Sequence, residues 1–280
     1  MAGFGQGVRW VLSIIIPASN EEGYLGTCLA GLLASDAVAA EVIVVANGCR
    51  DATADVARGF AGAFAARGWG FGVLDVAQGS KPGALNAGDA VAVGDMRIYL
   101  DADVVVSPGV MAQLAQALTR DVATYAGATP RIPRAHSWVT RAYARFWATL
   151  PFAQSVAPGF GLFAVNALGR ARWQDFPAII SDDTFVRLQF APVERVQVRA
   201  GYDWPMIEGF GALVRVRRRQ DAGMAEIAVQ YPQLLAHEGK APVTGLLGRM
   251  LRDPVGFAVY AGVSLAVRLR KGGVGFTRGR

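Results

Sequence analysis

Two aspartates one residue apart, Asp101 and Asp103, close the apolar run "RIYLDAD". On a strand, alternate side chains share a face, so this pair could hold one divalent cation between the protein and a ligand. The same residues also suit a plain turn. Acids commonly end strands, and "SPGVMAQLAQAL" behind them reads as a capped helix with Pro108 in its first turn. A bare D-x-D pair does not choose between these readings, and the elements around it must.

Those elements alternate. "VLSIII", stopped by Pro17, "AEVIVVANG", "GFGVLDV" and "MRIYLDAD" are apolar, mostly β-branched runs that read as strands. Helix-spaced segments follow each of them: residues 21–33, "DATADVARGFAGAFAARG", "GSKPGALNAGDAVA" and the segment after Pro108. This order predicts an α/β fold, a mostly parallel, Rossmann-like sheet flanked by helices on both faces. Ligands in such sheets sit beyond the carboxyl ends of the strands, so "PASNEE", "ANGCRD" and "DAD" are expected to converge on one crevice. Beyond residue 122 the pattern becomes irregular and reads as a second half built onto the edge of the sheet, with no internal repeat.

A hydrophobic content of 52% against 18% charge excludes a disordered chain. Cys28 and Cys49 are the only cysteines, which excludes a disulfide framework and a cysteine-based zinc site. The N-terminus lacks the basic start and small-residue cleavage site of a secretory signal, so the domain is expected to face the cytoplasm. The formal net charge of +6 is concentrated between Arg249 and Arg280, where seven basic residues accompany the single acid Asp253. The uncharged run in that segment, "PVGFAVYAGVSLAV", is too short to span a bilayer. It fits either an interfacial segment beside anionic lipid or a buried helix with a frayed basic end. The uncharged stretch from Phe146 to Gly169 is interrupted by prolines and glycines and reads as a buried loop and strand. Basic charge confined to the tail gives nucleic-acid binding little support. "GFGQGV" precedes the first strand, where it cannot form a dinucleotide-binding turn.

Taken together, "LSIIIPASNEEGYLGTCLAGLL", "EVIVVANGCRDATADVA", "KPGALNAGDAVA", "YLDADVVVSPGVMAQL", "GLFAVNALGRARW" and "SDDTFVRLQF" resemble, in order and spacing, the family 2 glycosyltransferases of the GT-A fold. The resemblance implies inverting transfer of a sugar from a nucleotide diphosphate donor, assisted by Mg²⁺ or Mn²⁺. It implies a domain over residues 1–225, with a nucleotide-sugar half (1–121) and an acceptor half (122–225), ahead of a helical, basic tail (226–280). Pro17, Ala18, Asn20 and Glu21 would border the base and ribose. Asn47 stands where relatives carry an aspartate, and Ala46 precedes it, so uracil is the expected base on weaker grounds. Lys81 and Asn86 match positions close to the donor. Asp103 would coordinate the metal, and Asp101 would lie near the ribose or the metal's water shell.

In "SDDTFVRL", Asp183 takes the place of the catalytic base, and Asp182 replaces the usual glutamate. The same acids also suit a helix N-terminus capped by Ser181. The Gln-x-x-Arg-Trp motif of membrane synthases is absent, although Arg215, Arg217, Arg218 and Arg219 cluster near its place and could meet a diphosphate, an anionic acceptor or solvent. His237 is a candidate late metal ligand. The implied acceptor is a lipid-linked, polysaccharide or other cell-envelope saccharide, with peripheral contact to anionic membrane. A nucleotidyltransferase and a degenerate, non-enzymatic scaffold are the competing readings.

Overall fold

The computed structural model describes residues 12–36, 38–238 and 245–269. Its strands are β1 (Leu12–Ala18), β2 (Ala40–Asn47), β3 (Gly70–Val76), β4 (Met96–Leu100), β5 (Val105–Val106), β6 (Tyr125–Arg131), β7 (Leu162–Asn166) and β8 (Arg195–Asp203). They form one sheet in the order β3-β2-β1-β4-β7-β6-β8-β5. The half containing β3, β2, β1 and β4 is parallel throughout, as its near-continuous apolar runs require for burial on both faces. The other half is mixed: β7 runs antiparallel to both β4 and β6, β6 and β8 are parallel, and β5 is antiparallel to β8.

The two-residue period of β1 divides the core. Leu12, Ile14 and Ile16 join one buried cluster, beneath the helices Leu25–Leu33 and Val110–Leu118. Ile15 faces the other cluster, with Ala84 and Leu85 of the helix Lys81–Val91 and Phe185 of the helix Asp182–Arg187. A third cluster joins Tyr143 and Trp147 of the helix Trp138–Trp147, Leu213 and Val214 of the helix Phe210–Gln230, and Val263 of the helix Pro254–Leu269.

Several sequence expectations are corrected. Pro17 does not stop β1, which continues to Ala18 paired with Ala46, because proline costs little so close to a strand's end. The segment after Asp51 is two helices, Thr53–Arg58 and Ala61–Arg67, broken at Gly59 and Phe60. Pro108 lies in the turn before its helix, which starts at Val110. The helix Phe210–Gln230 runs through residue 225, so the boundary placed there falls inside a helix. Among the described residues no single helix is long and apolar enough to cross a membrane, and Leu246–Arg252 and Pro254–Leu269 pass that test only as a pair bent by 119°. Arg270, Lys271, Arg278 and Arg280 of the basic tail lie outside the described residues.

Candidate active site

The loops after β1 and β2 are laced together at the carboxyl edge of the sheet. The Ser19 hydroxyl donates to the Asn47 carbonyl at 2.7 Å, Arg50 N–H donates to the Asn20 side-chain oxygen at 2.7 Å, and Glu21 N–H donates to the Thr53 hydroxyl at 2.7 Å. Pro17 and Ala18 end β1 directly beside this lacing. Asn47 is buried, and its amide works inside the chain. Nδ2 donates to the Ala18 carbonyl at 2.9 Å, and Oδ1 accepts from Ser80 N–H at 3.1 Å. A carboxylate could replace the second bond and not the first, which gives the asparagine at this position a structural reason. Gly48 has φ +56°, and a Cβ there would come within 2.7 Å of the Gly79 backbone, so this close approach of two loops needs glycine.

Asp101 and Asp103 are not on a strand. β4 ends at Leu100, and Val104 N–H donates to the Asp101 carbonyl at 3.1 Å, closing a turn around both acids. The turn is anchored from β7's side by Asp101 N–H, which donates to the Gly161 carbonyl at 2.8 Å. Cys28 packs beneath it, its Sγ 3.8 Å from the Asp101 carbonyl. Burial, with Asp103 and Asp101 nearby, pushes the Cys28 thiol well up, which keeps it a neutral packing group.

The helix Lys81–Val91 starts at a capped end, where the Ser80 hydroxyl accepts from Gly83 N–H at 3.2 Å. That start aims Lys81 into the crevice. Its Nζ lies 2.9 Å from Asp101 Oδ1 and 3.2 Å from Asp182 Oδ2. Burial works against the ammonium, but Asp101, Asp182 and Asp183 together outweigh it and raise its pKa. Asp182 is buried in the first turn of the helix Asp182–Arg187, and Asp183 beside it is half-buried, its Oδ1 accepting from Thr184 N–H at 2.6 Å. Burial and the Asp182 charge push Asp183 up to about 6, against the pull of Lys81. Ser181 stands at the N-cap position without a side-chain bond, so the acids are the polar groups of the first turn. Asn86 sets the approach to this turn. Its Nδ2 donates to the Phe176 carbonyl at 3.0 Å while its Oδ1 accepts from Phe176 N–H at 2.7 Å.

The "PASNEE" and "ANGCRD" loops are thus laced to each other, and Lys81 joins Asp101 of "DAD" to Asp182, with Asp183 beside it. His237 does not join them. Its Nδ1 lies 2.8 Å from the Leu188 carbonyl, and Arg195 at the start of β8 donates to its backbone. Arg217 ties its own helix to the helix Pro254–Leu269, pairing with Asp221 at 2.9 Å and reaching the Tyr260 hydroxyl at 3.3 Å. Sequence reading missed Gly161 and Asp89. Gly161 has φ +65°, and a Cβ there would lie 2.8 Å from Val104 Cγ2 and 3.3 Å from Asp101 Oδ2. Asp89 pairs with Arg97 at 3.2 Å and Arg170 at 3.0 Å and accepts from the Tyr99 hydroxyl, fixing the helix of Lys81 to β4. The only sequence signals were a glycine-rich stretch and one acid in "NAGDAVA".

A family model described as glycosyl transferase family 2 matches residues 13–172, more than half of the chain. The chain belongs to glycosyl transferase family 2. Solved structures share its fold. A mannosyltransferase from Pyrobaculum calidifontis, in complex with GDP-Man and Mn²⁺, matches with a TM-score of 0.61 at 17% identity, over 95% of this chain and 77% of that one. S. aureus TarS 1-349 in complex with UDP matches with a TM-score of 0.53 at 14% identity, over 74% of this chain and 64% of that one. Glucosyl-3-phosphoglycerate synthase from Mycobacterium tuberculosis, in complex with Mn²⁺, UDP and glucosyl-3-phosphoglycerate, matches with a TM-score of 0.50 at 20% identity, over 79% of each chain. No functionally curated protein matches significantly. The central mixed sheet with flanking helices is thus that of the GT-A glycosyltransferases.

A divalent ion suits the donor side of this family 2 glycosyltransferase on one condition. Lys81 already neutralises one oxygen of Asp101, and among the described residues no group of three His, Cys, Asp or Glu side chains is placed to hold a metal ion. The protein therefore offers Asp103, with the second oxygen of Asp101, and the remaining ligands must come from water and substrate phosphates. Mg²⁺ is commonly held that way, by one or two carboxylates plus phosphate oxygens, and the donor set fits.

Proposed function

We propose that the chain is an inverting glycosyltransferase that moves a sugar from a nucleotide diphosphate donor, with UDP the favoured nucleotide, to a hydroxyl of a lipid-linked, polysaccharide or other cell-envelope acceptor. The observation that carries this reading is the single ammonium of Lys81 drawing together Asp101, from the donor side, and Asp182, from the acceptor side. It sets the carboxylate of Asp183 beside the crevice that the donor loops enclose. The nucleotides and Mn²⁺ named for the similar structures support the choice of donor class and metal.

In this reading Pro17, Ala18, Asn20 and Glu21 form the base and ribose end, braced by Asn47, while Lys81, Asp101 and Asp103 form the phosphate end, braced by Asn86. Asp183 takes the proton of the acceptor hydroxyl as that oxygen attacks the anomeric carbon from the face opposite the diphosphate. The new carbon–oxygen bond forms, the bond to the diphosphate breaks, and its electron pair leaves with the nucleotide. One displacement inverts the centre. Burial and Asp182 raise Asp183 toward the working pH, which makes it a better proton acceptor than an ordinary aspartate. A divalent cation held by Asp103 and Asp101 would supply positive charge for the leaving diphosphate. Peripheral membrane contact is part of the proposal, supported by Leu247 and Leu251, 65% and 71% exposed, alternating with Arg249 and Arg252.

The test is turnover of UDP-glucose, GDP-mannose and dTDP-glucose with a mixed cell-envelope acceptor preparation, with the anomeric proton of the product read by NMR. Inverted product, and loss of turnover in Asp183→Asn, is expected. Retained configuration, or release of pyrophosphate, would overturn the reading.

A further inference from the structure

A cleft of about 470 Å³ is lined by Phe160 and Trp204, which adjoin Gly161 beside the Asp101 turn. The strand ends hold the two sites together. Trp204, just beyond β8, donates its backbone N–H to the Arg131 carbonyl at 2.8 Å, and a Cβ on Gly161 would lie 3.1 Å from its ring. The Tyr202 hydroxyl donates to the Phe160 carbonyl at 2.7 Å. Burial chiefly pushes that phenol up, which keeps it a neutral donor to the Phe160 carbonyl.

The floor is aromatic. Trp204 stacks on Phe160 with centroids 5.1 Å apart, and Trp147 packs against both, at 5.7 Å and 5.1 Å. The rim is cationic. Arg141 and Arg145, one turn apart on the helix Trp138–Trp147, face Arg134 on the loop after β6. Arg145 is partly neutralised by Asp253 at 3.3 Å, and one nitrogen of Arg141 donates to the Ala135 and His136 carbonyls. Arg134 is exposed and has no ion-pair or hydrogen-bond partner among the described residues. The rest of the lining is proline, isoleucine and alanine.

The composition selects the ligand. A free sugar ring needs acceptors and donors for its hydroxyls, and the lining offers no carboxylate, amide or hydroxyl side chain. It offers an apolar trough and guanidinium groups, whose geometry matches phosphate. Phe152, 48% exposed and packed on Trp147 and Phe160, continues the apolar surface outward.

We infer that this cleft binds the acceptor, and that the acceptor is a lipid phosphate. Its chain lies along Trp147, Phe160 and Trp204, and its phosphate is held by Arg134 and Arg141. The acceptor so held carries the hydroxyl that Asp183 deprotonates on a group beyond its phosphate, a group that the binding probe geranyl phosphate lacks. This rests on the transferase reading and narrows its acceptor from three classes to one.

The experiment is calorimetric binding to the full chain of geranyl phosphate, with geraniol, inorganic phosphate and glucose 1-phosphate as comparisons and UDP with Mn²⁺ as a separate titration. Geranyl phosphate is expected to bind at least about tenfold more tightly than any of the three comparisons, because only it fills both the trough and the arginines. Arg134→Ala combined with Arg141→Ala should weaken it by about tenfold or more. Arg141 also supports the loop, so Ala148→Glu, on the exposed rim, is the second variant. Its carboxylate should weaken geranyl phosphate to a similar extent without removing any existing bond. Equal binding of glucose 1-phosphate or inorganic phosphate, unchanged affinity in both variants, or no binding of geranyl phosphate overturns the inference. UDP binding in the last case leaves the transferase reading standing, and failure of both ligands removes both.

Discussion

Lys81 Nζ lies 2.9 Å from Asp101 Oδ1 and 3.2 Å from Asp182 Oδ2, so one ammonium joins the acid after β4 to the buried acid that opens the helix Asp182–Arg187. These residues are separated widely in sequence, and no strand pairing links their loops directly. The ion triad is what sets the turn of Asp101 against the helix start at Asp182. Its removal would leave Asp182, whose side chain is 5% exposed, without its cation.

Lys81→Met is therefore expected to cost about 3 kcal/mol at pH 7, the low end of the range for breaking a buried pair from one side, because the Lys81 side chain is 29% exposed. Lys81→Arg, which keeps the charge, should recover part of it. Urea unfolding measures both, and an unchanged midpoint in Lys81→Met would refute the role given to the triad. The same variant removes the charge that holds Asp183 down, so the acid limb of kcat/KM for transfer should move to higher pH.

Asp183 itself gives a signed prediction. Its folded pKa is raised from 3.8 to about 6, so between those values the folded chain binds more protons than the unfolded one. Stability from this group then falls as pH rises from about 4 to 6. Asp183→Asn, always neutral, should be more stable than the parent at pH 7 by on the order of 1 kcal/mol, after allowance for partial solvent screening. The difference should vanish near pH 4. Thermal unfolding at the two pH values checks the sign. Transfer by the parent should decline as pH falls through about 6, where Asp183 takes up its proton.

The parallel half of the fold was legible because Ile14, Ile15, Ile16 and the whole of β2 are buried, and burial on both faces writes itself as an unbroken apolar run. The meeting of the "PASNEE" and "ANGCRD" loops followed from the rule that ligands gather at strand ends, whereas the Lys81 bridge from Asp101 to Asp182 did not. The antiparallel insertion of β7 was not legible, since its partners β4 and β6 are chosen by long-range packing and a short apolar run carries no direction. Nor was the turn at Asp101. It depends on the Asp101 N–H donating to a glycine carbonyl far along the chain, and "GFGLF" shows only that backbone freedom is needed there. Asn86 and Asn47 looked like ligand-facing amides and proved to bind backbone, a distinction that residue type alone cannot make.

Gly161→Ala tests that turn. With φ +65° and a new methyl 2.8 Å from Val104 and 3.1 Å from Trp204, the substitution should cost about 2 kcal/mol or more and displace Asp101. Gly62→Ala is the matched control, in an exposed helical position with nothing within 4 Å, and should stabilise by about 0.5–1 kcal/mol. Urea unfolding should separate the pair in opposite directions. If Gly161→Ala unfolds like the parent, the left-handed turn does not constrain the Asp101 carboxylate in the way its geometry implies.

Asp103 carries the last prediction. Because Lys81 already pairs with Asp101, the affinity of a divalent ion here should depend on Asp103 and on the nucleotide together, and weakly on either alone. UDP affinity measured by calorimetry should then fall about tenfold or more with EDTA and return with Mn²⁺. In Asp103→Ala it should stay low whether Mn²⁺ is present or not. Titration of Mn²⁺ alone, followed by its electron paramagnetic resonance signal, should show weak binding that UDP strengthens in the parent and leaves unchanged in the variant. Equal UDP affinity with and without metal would show instead that the Lys81 ammonium serves the diphosphate by itself. Asp103 would then be a turn residue, as its sequence context also allowed.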